Sequence, residues 1–263
     1  MTVLDSLRRH RVPDTAEVQT SAVVVDGITK RFGRGPLILD DISLAVAPGE
    51  FLCILGASGC GKSTLLNLVA GLEQPTAGRV EVPGHKPSLM FQEPALYPWL
   101  TAAENVELAL KLRGVGKAER RAETQRLLAL VRLEGAGAKR PHELSGGMRQ
   151  RVAMARALAQ DSKVLLMDEP FAALDAITRD VLHQELARVW AEQELSVVFV
   201  THNVREAVRL GQRVVLMGSR PGRIEREWQI DIRHPRTIES PAVGALAAEI
   251  TAELHREISR HGH

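Results

Sequence analysis

The strongest chemical signal in the chain is Gly56-Ala57-Ser58-Gly59-Cys60-Gly61-Lys62-Ser63-Thr64. It fits the spacing G-x-x-x-x-G-K-[ST], in which glycines let backbone N–H groups turn inward around phosphate oxygens while a lysine and a hydroxyl complete the cradle. The preceding FLCIL run predicts a buried strand and Thr64 to Ala70 predicts a helix, whose N-terminus adds partial positive charge where phosphate would sit. Lys62 is then expected to reach the β- and γ-phosphates, and Ser63 to ligate Mg2+. Cys60 stands in this loop beside Lys62 and a helix N-terminus, a setting expected to lower its thiol pKa and open it to alkylation.

A second signal lies in VLLMDEP, where four apolar residues run into Asp168 and Glu169. A strand that ends in charge points its carboxylates to the sheet edge where α/β proteins bind ligands. Asp168 is expected to hold Mg2+ through water, and Glu169 to polarise the water that attacks a γ-phosphate.

The elements that must position these groups show in the hydrophobic pattern. From Ala22 to Ala47 apolar residues alternate, interrupted by the turn-rich FGRGP, which predicts antiparallel strands. After Pro48-Gly49 come short continuous runs, FLCIL, VLLM, VVFV and VVLM, separated by helical stretches. Such runs are what strands buried on both faces of a parallel sheet look like. Between Phe91 and Asp161 only helix-forming segments occur, AAENVELALKLRG and KAERRAETQRLLALVRLEG among them, so a helical subdomain is expected there. A last helix is expected from Ala242 to about Arg260, with Leu246, Ile250, Leu254 and Ile258 forming its apolar stripe.

Composition narrows the partners. A hydrophobic content of 44% in 263 residues supplies a large core, and 34 basic against 32 acidic residues leave a formal charge of only +2. That balance gives no electrostatic case for nucleic acid or an anionic membrane surface as the main partner. Cys53 and Cys60 have no metal-ligand spacing and fit a reducing cytosol. Apolar runs reach only about six residues, against the roughly 20 needed to cross a bilayer, and the N-terminal segment lacks the uninterrupted apolar core of a signal peptide. A cytoplasmic protein is expected, and the little chain left after the last helix argues against a C-terminal regulatory domain.

The segment LSGGMRQR, Leu144 to Arg151, resembles the signature motif of the ABC ATPases. Ser145, Gly146 and Gly147 are placed to cap a helix running to Gln160 and to present a hydroxyl and backbone N–H groups to an anion. The resemblance continues in order along the chain. Phe32 in KRFG resembles the aromatic that stacks on adenine, Gln92 the Q-loop glutamine that senses Mg2+, Asp175 in FAALD the D-loop aspartate, and His202 the switch histidine that contacts the γ-phosphate. Two departures are Met148 in place of glutamine and Asn203 in place of aspartate after His202.

The resemblance implies an α/β fold with a P-loop NTPase core, a parallel sheet, an antiparallel β flank and an inserted helical subdomain over about 92–160. The ATPase domain is expected at 22–235, after an extension over 1–21 and before a helical tail at 236–263. It further implies an ATPase that binds ATP and Mg2+, pairs as a homodimer with each signature motif closing on the other copy's nucleotide, and sits at the cytoplasmic face of the membrane against permease subunits. FQEPALYPWLTAAENV and GSRPGRIEREWQIDI resemble importers of nitrate, sulfonate and taurine, which act indirectly with a solute-binding protein. The resemblance implies that Pro98 to Thr101 lies beside a permease subunit, with internal packing of Trp99 as the alternative. The competing readings are a soluble ABC ATPase acting on DNA or ribosomes, which needs a long coiled-coil insertion or a second nucleotide domain not seen here, and an exporter motor, which the YPWLT and RPGRI segments disfavour.

Overall fold

The computed structural model describes residues 21–84, 86–237 and 240–261; apart from Ser21, the expected N-terminal extension lies outside them. Alternation in the first segment folds as expected. Strand β1 (Val23–Arg31) pairs antiparallel with β2 (Leu37–Val46), with Val23 opposite Val46 and Val25 opposite Leu44. After β3 (Phe51–Gly56) and helix α1 (Lys62–Val69), strand β4 (Ala77–Glu81) returns to the other edge of β1, completing a three-stranded sheet in the order β2-β1-β4.

The second sheet has six strands. Three-residue β5 (Ser88–Met90), β6 (Val164–Asp168), β7 (Ser196–Thr201), β3 and β8 (Arg213–Met217) lie side by side in that order and run parallel, and β9 (Ile224–Gln229) closes the edge antiparallel to β8. Every residue of β3 and β7 is buried. Successive side chains of a strand leave on opposite faces, so Phe51, Cys53 and Leu55 of β3 enter one core while Leu52 and Ile54 enter another. The first core packs against helices. The second packs against the antiparallel sheet and α1. A fully buried Leu or Phe in either contributes about 1.5–3 kcal/mol.

Between β5 and β6 the chain is helical, as expected. It forms α2 (Ala102–Leu112), α3 (Lys117–Leu130), a 3-10 turn (Pro141–Glu143) and α4 (Gly146–Leu158), which ends two residues short of Gln160. Thr101 and Glu104 start α2 with a reciprocal capping box. Next come α5 (Ala176–Gln193), α6 (Val204–Leu210) and the C-terminal α7 (Pro241–His261).

The expected stripe of α7 holds at Ile250 and Leu254, with Leu246 half-buried beside them, and departs at Ile258. Val243, Ala247, Ile250 and Leu254 are buried, whereas Ile258 is 42% exposed. Glu257 occupies the next inward position and is buried, accepting a hydrogen bond from the backbone of Ser219. No helix among the described residues is long and apolar enough to cross a membrane.

Candidate functional site

Strand β3 delivers Gly56 to the sheet edge, and the chain then wraps into α1. Lys62 is only 5% exposed, unusual for a lysine, and its ammonium is satisfied locally. Nζ donates to the carbonyls of Gly56 at 2.8 Å and Ala57 at 3.0 Å. Two glycines are required by the close approach. A Cβ on Gly56 would stand 2.7 Å from both Cys60 Sγ and the Met217 carbonyl, and one on Gly61, where φ is 102°, would meet Leu39 at 2.6 Å. Ser58, Gly59 and Ser63 are exposed at the mouth, with Ala57 and Thr64 half-buried beside them.

Cys60 corrects the reading from sequence. It is 1% exposed, and burial pushes its thiol above the ordinary value although the Lys62 ammonium, 3.9 Å from Sγ, pulls the other way. The side chain packs into the core with Leu65 and Ile224 while the backbone around it forms the loop.

Strand β6 brings its carboxylates to the same edge. Burial raises the Asp168 carboxyl; a hydrogen bond with Ser63 lowers it, Glu169 raises it and Lys62 lowers it, and the net shift is upward. Glu169 leaves the strand with φ at 44°, its N–H still bonded to the Val200 carbonyl at 3.0 Å. Its side chain spans the site: one oxygen lies 4.0 Å from Lys62 Nζ, and the other 2.8 Å from His202 Nδ1. Lys62, Asp168, Glu169, Ser63 and His202 are therefore brought together.

Other residues singled out in the sequence are engaged elsewhere. Ser145 caps α4 by accepting from Met148 N–H at 3.2 Å, and Asp175 caps α5 by accepting from Thr178 N–H at 2.9 Å; the Thr178 hydroxyl first, and this N–H with it, hold the Asp175 carboxyl low. Gly146 and Gly147 have a packing reason in this chain. A Cβ on Gly147 would stand 2.6 Å from Thr178 Cγ2, and one on Gly146 would lie 3.1 Å from Leu174. Phe32 is 49% exposed with Lys30 Nζ 4.5 Å from its ring centre. Gln92 is exposed just beyond β5, and its carbonyl accepts from Gln150 Nε2 at 2.9 Å. Asn203 fills the capping role of an aspartate, its side-chain oxygen accepting from the N–H groups of Arg205 and Glu206.

Sequence reasoning passed over Gln150 and Arg156, which grip the carbonyls of Gln92, Pro94 and Ala95. It also passed over His183, Thr201 and Glu206 behind His202. Only the positions of Gln150 and Arg156 on one helix after the glycine pair hinted at a role. Nothing in sequence relates His183 to Glu206.

The donor set fits a magnesium nucleotide. Among the described residues no group of three or more His, Cys, Asp or Glu side chains could hold a metal alone. A hydroxyl and one or two carboxylates that share Mg2+ with phosphate oxygens is the usual arrangement for that ion, and Ser63 with Asp168 supplies it.

The sequence model of the ABC transporter family matches residues 39–172. The chain is 49% identical to a taurine import ATP-binding protein, TauB, of Chromobacterium violaceum, covering 89% of this chain and 96% of that one. It is 40% identical to an aliphatic sulfonates import ATP-binding protein, SsuB, of Bacillus licheniformis, covering 86% and 91%. Among solved structures it resembles the dimeric post-hydrolysis state of the ATP-binding cassette MJ0796 bound to ADP and Pi, with a TM-score of 0.70, 35% identity, and coverage of 80% of this chain and 100% of that one.

Proposed function

The chain belongs to the ABC transporter family as one of its ATPases, and from that premise we propose that it powers import of a small sulfonate such as taurine through separate permease subunits. The observation that carries the hydrolytic reading is the convergence of Lys62, Glu169 and His202 at the mouth of the glycine loop. The sulfonate reading is supported by the names of the relatives.

Each residue then has a task. A lysine has three N–H donors; two of those on Lys62 are taken by carbonyls, and the third serves the β- and γ-phosphate oxygens. Ala57 to Thr64 wrap the phosphates with backbone N–H groups, with Gly56 behind them, and Phe32 stacks on the adenine. Ser63 and Asp168, with Gln92 from beyond β5, would hold Mg2+, which would supply positive charge to the phosphate oxygens. Glu169 accepts the proton of the attacking water, and His202, bonded through Nδ1, keeps that carboxylate turned toward the loop. In a pair of copies, Ser145, Gly146 and Gly147 of one close on the nucleotide of the other, with Asp175 at the seam. Working at the cytoplasmic face of the membrane, the pair would drive the permeases, and a solute-binding protein would deliver the solute. The hydrolysing unit spans 22–235 in this reading, with its helical part over about 92–160.

Phosphate release by the purified chain tests the chemistry. Lys62→Ala should lose both ATP binding and turnover. Glu169→Gln should bind ATP within a few-fold of wild type yet turn over about a hundredfold or more slower, the usual range for losing a general base. Near-wild-type hydrolysis by Glu169→Gln would remove Glu169 from the role.

A further inference from the structure

Behind His202 lies a buried polar group that the hydrolytic reading does not use. Glu206, on α6, is 7% exposed, and both of its carboxylate oxygens are engaged. One is 2.6 Å from His183 Nε2 on α5, and the other accepts from the Thr201 hydroxyl at the end of β7. Burial works against the charge on Glu206, but the hydrogen bonds from His183 and Thr201 outweigh it and hold the carboxyl below its ordinary value.

The group fixes the backbone on both sides of His202. Thr201 Oγ1, while donating to Glu206, accepts the N–H of Asn203 at 2.9 Å, and Asn203 Oδ1 accepts the N–H of Glu206 at 3.3 Å. The residue between Thr201 and Asn203 is thus held in a closed ring of bonds. The ring also reaches the segment that follows Glu169. His183 packs edge-on against Phe171, ring centres 5.5 Å apart, and Phe171 is buried two residues beyond Glu169.

We propose that Glu206 is a positioning residue: clamped between Thr201 and His183, it ties the His202 segment, through His183 and Phe171, to the segment that follows Glu169, so that His202 Nδ1 meets the Glu169 carboxylate. The inference rests on the hydrolytic roles given above to Glu169 and His202. A group that acts by orientation alters turnover more than ground-state ATP binding, because the contact it secures matters when water attacks. Glutamine at 206 keeps an acceptor for one partner and an amide N–H for the other, since the second ring nitrogen of His183 has no bond and leaves the tautomer free to change.

The experiment is steady-state hydrolysis and thermal melting of the full chain in parallel. Glu206→Ala should lower kcat about tenfold, the scale of a modest misplacement of catalytic groups, with KM for MgATP within twofold of wild type. Thr201→Val, which keeps the shape and loses one bond, should give a smaller fall in kcat, and it carries the test if Glu206→Ala does not fold. Glu206→Gln should recover most of the lost turnover. Val208→Ala trims the same helix at a fully buried position outside the bonded group; it should melt earlier yet keep wild-type kcat. Wild-type kcat in both Glu206→Ala and Thr201→Val, or a loss in Val208→Ala as large as theirs at an equal drop in melting temperature, would overturn the proposal. Glu169→Gln is run alongside: if it hydrolyses ATP normally the parent reading fails, and if it is inactive while the Glu206 and Thr201 variants are not, only the positioning role fails.

Discussion

Cys60 is acted on by two opposed influences, burial that pushes its thiol up and the Lys62 ammonium that pulls it down, and burial wins. The sequence placed the residue in the right loop, but a pattern of residue types carries no information on which side of the loop a side chain leaves. Lys62 was legible for the converse reason, since its role follows from the backbone it must fold against. The consequence is measurable by maleimide labelling. Cys53 is also fully buried, its thiol raised by burial and by Glu206, so neither cysteine should label in the native chain on a timescale that labels both in denaturant. Stoichiometric labelling of the native Cys53→Ser variant would contradict the burial of Cys60.

Helix α4 shows what one element contributes beyond its cap. From one face Gln150 reaches the Gln92 carbonyl, and Arg156 reaches those of Pro94 at 2.8 Å and Ala95 at 2.7 Å, where φ of Ala95 is 46°. The segment carrying Gln92 is thereby tied to the helix capped by Ser145. Lysine cannot reproduce the planar two-pronged donation of arginine. Arg156→Lys should cost about 1–2 kcal/mol in stability and speed amide exchange over 92–99, while exchange in α2 stays unchanged. Hydrogen exchange read by mass spectrometry would show this, and unchanged protection over 92–99 would count against the clamp. The strands show where sequence reading stops. FLCIL and VVFV announced themselves because burial on both faces leaves no polar positions. The three-residue β5, the mostly exposed β4 and β9, with only Ile224 and Trp228 buried, carry too few apolar positions to show a period. The stripe of α7 was legible at Ile250 and Leu254 and missed at its end, because Ile258 looked more apolar than the Glu257 that points in.

Across the whole molecule the chemistry sits where β3, β6 and β7 end, and the C-terminal helix is fastened to the edge strand β9. Arg226 and Trp228 of β9 bond to Glu249 of α7, and Arg226 also to Glu253. On the surface, Trp99 is 67% exposed and Tyr97 40%, their rings 5.6 Å apart, and the Arg156 guanidinium lies 6.0 Å from the Tyr97 ring centre. So exposed an indole adds little to folding, and its removal should leave melting and the ATPase of the isolated chain near wild type. In the assembled transporter Trp99→Ala should instead depress solute uptake, measured in proteoliposomes. A parallel loss of hydrolysis would assign Trp99 to packing. The order of motifs along the chain made the sheet edge and its ligand readable from sequence. The proposed partner copy rests on family resemblance alone, because Ser145 and Asp175 make their own bonds within their helices.

In the proposed cycle two copies close around ATP and reopen when Glu169 lets water attack. A chain that binds ATP but cannot hydrolyse it should therefore accumulate as the closed pair. The direct measurement is the mass of Glu169→Gln by light scattering after size exclusion in MgATP. Glu169→Gln should shift from the single-chain 28.8 kDa to twice that mass, with Lys62→Ala remaining single under the same conditions. A Glu169→Gln chain that is saturated with ATP and still runs at the single-chain mass, alone and with its permease subunits present, would contradict the proposed cycle.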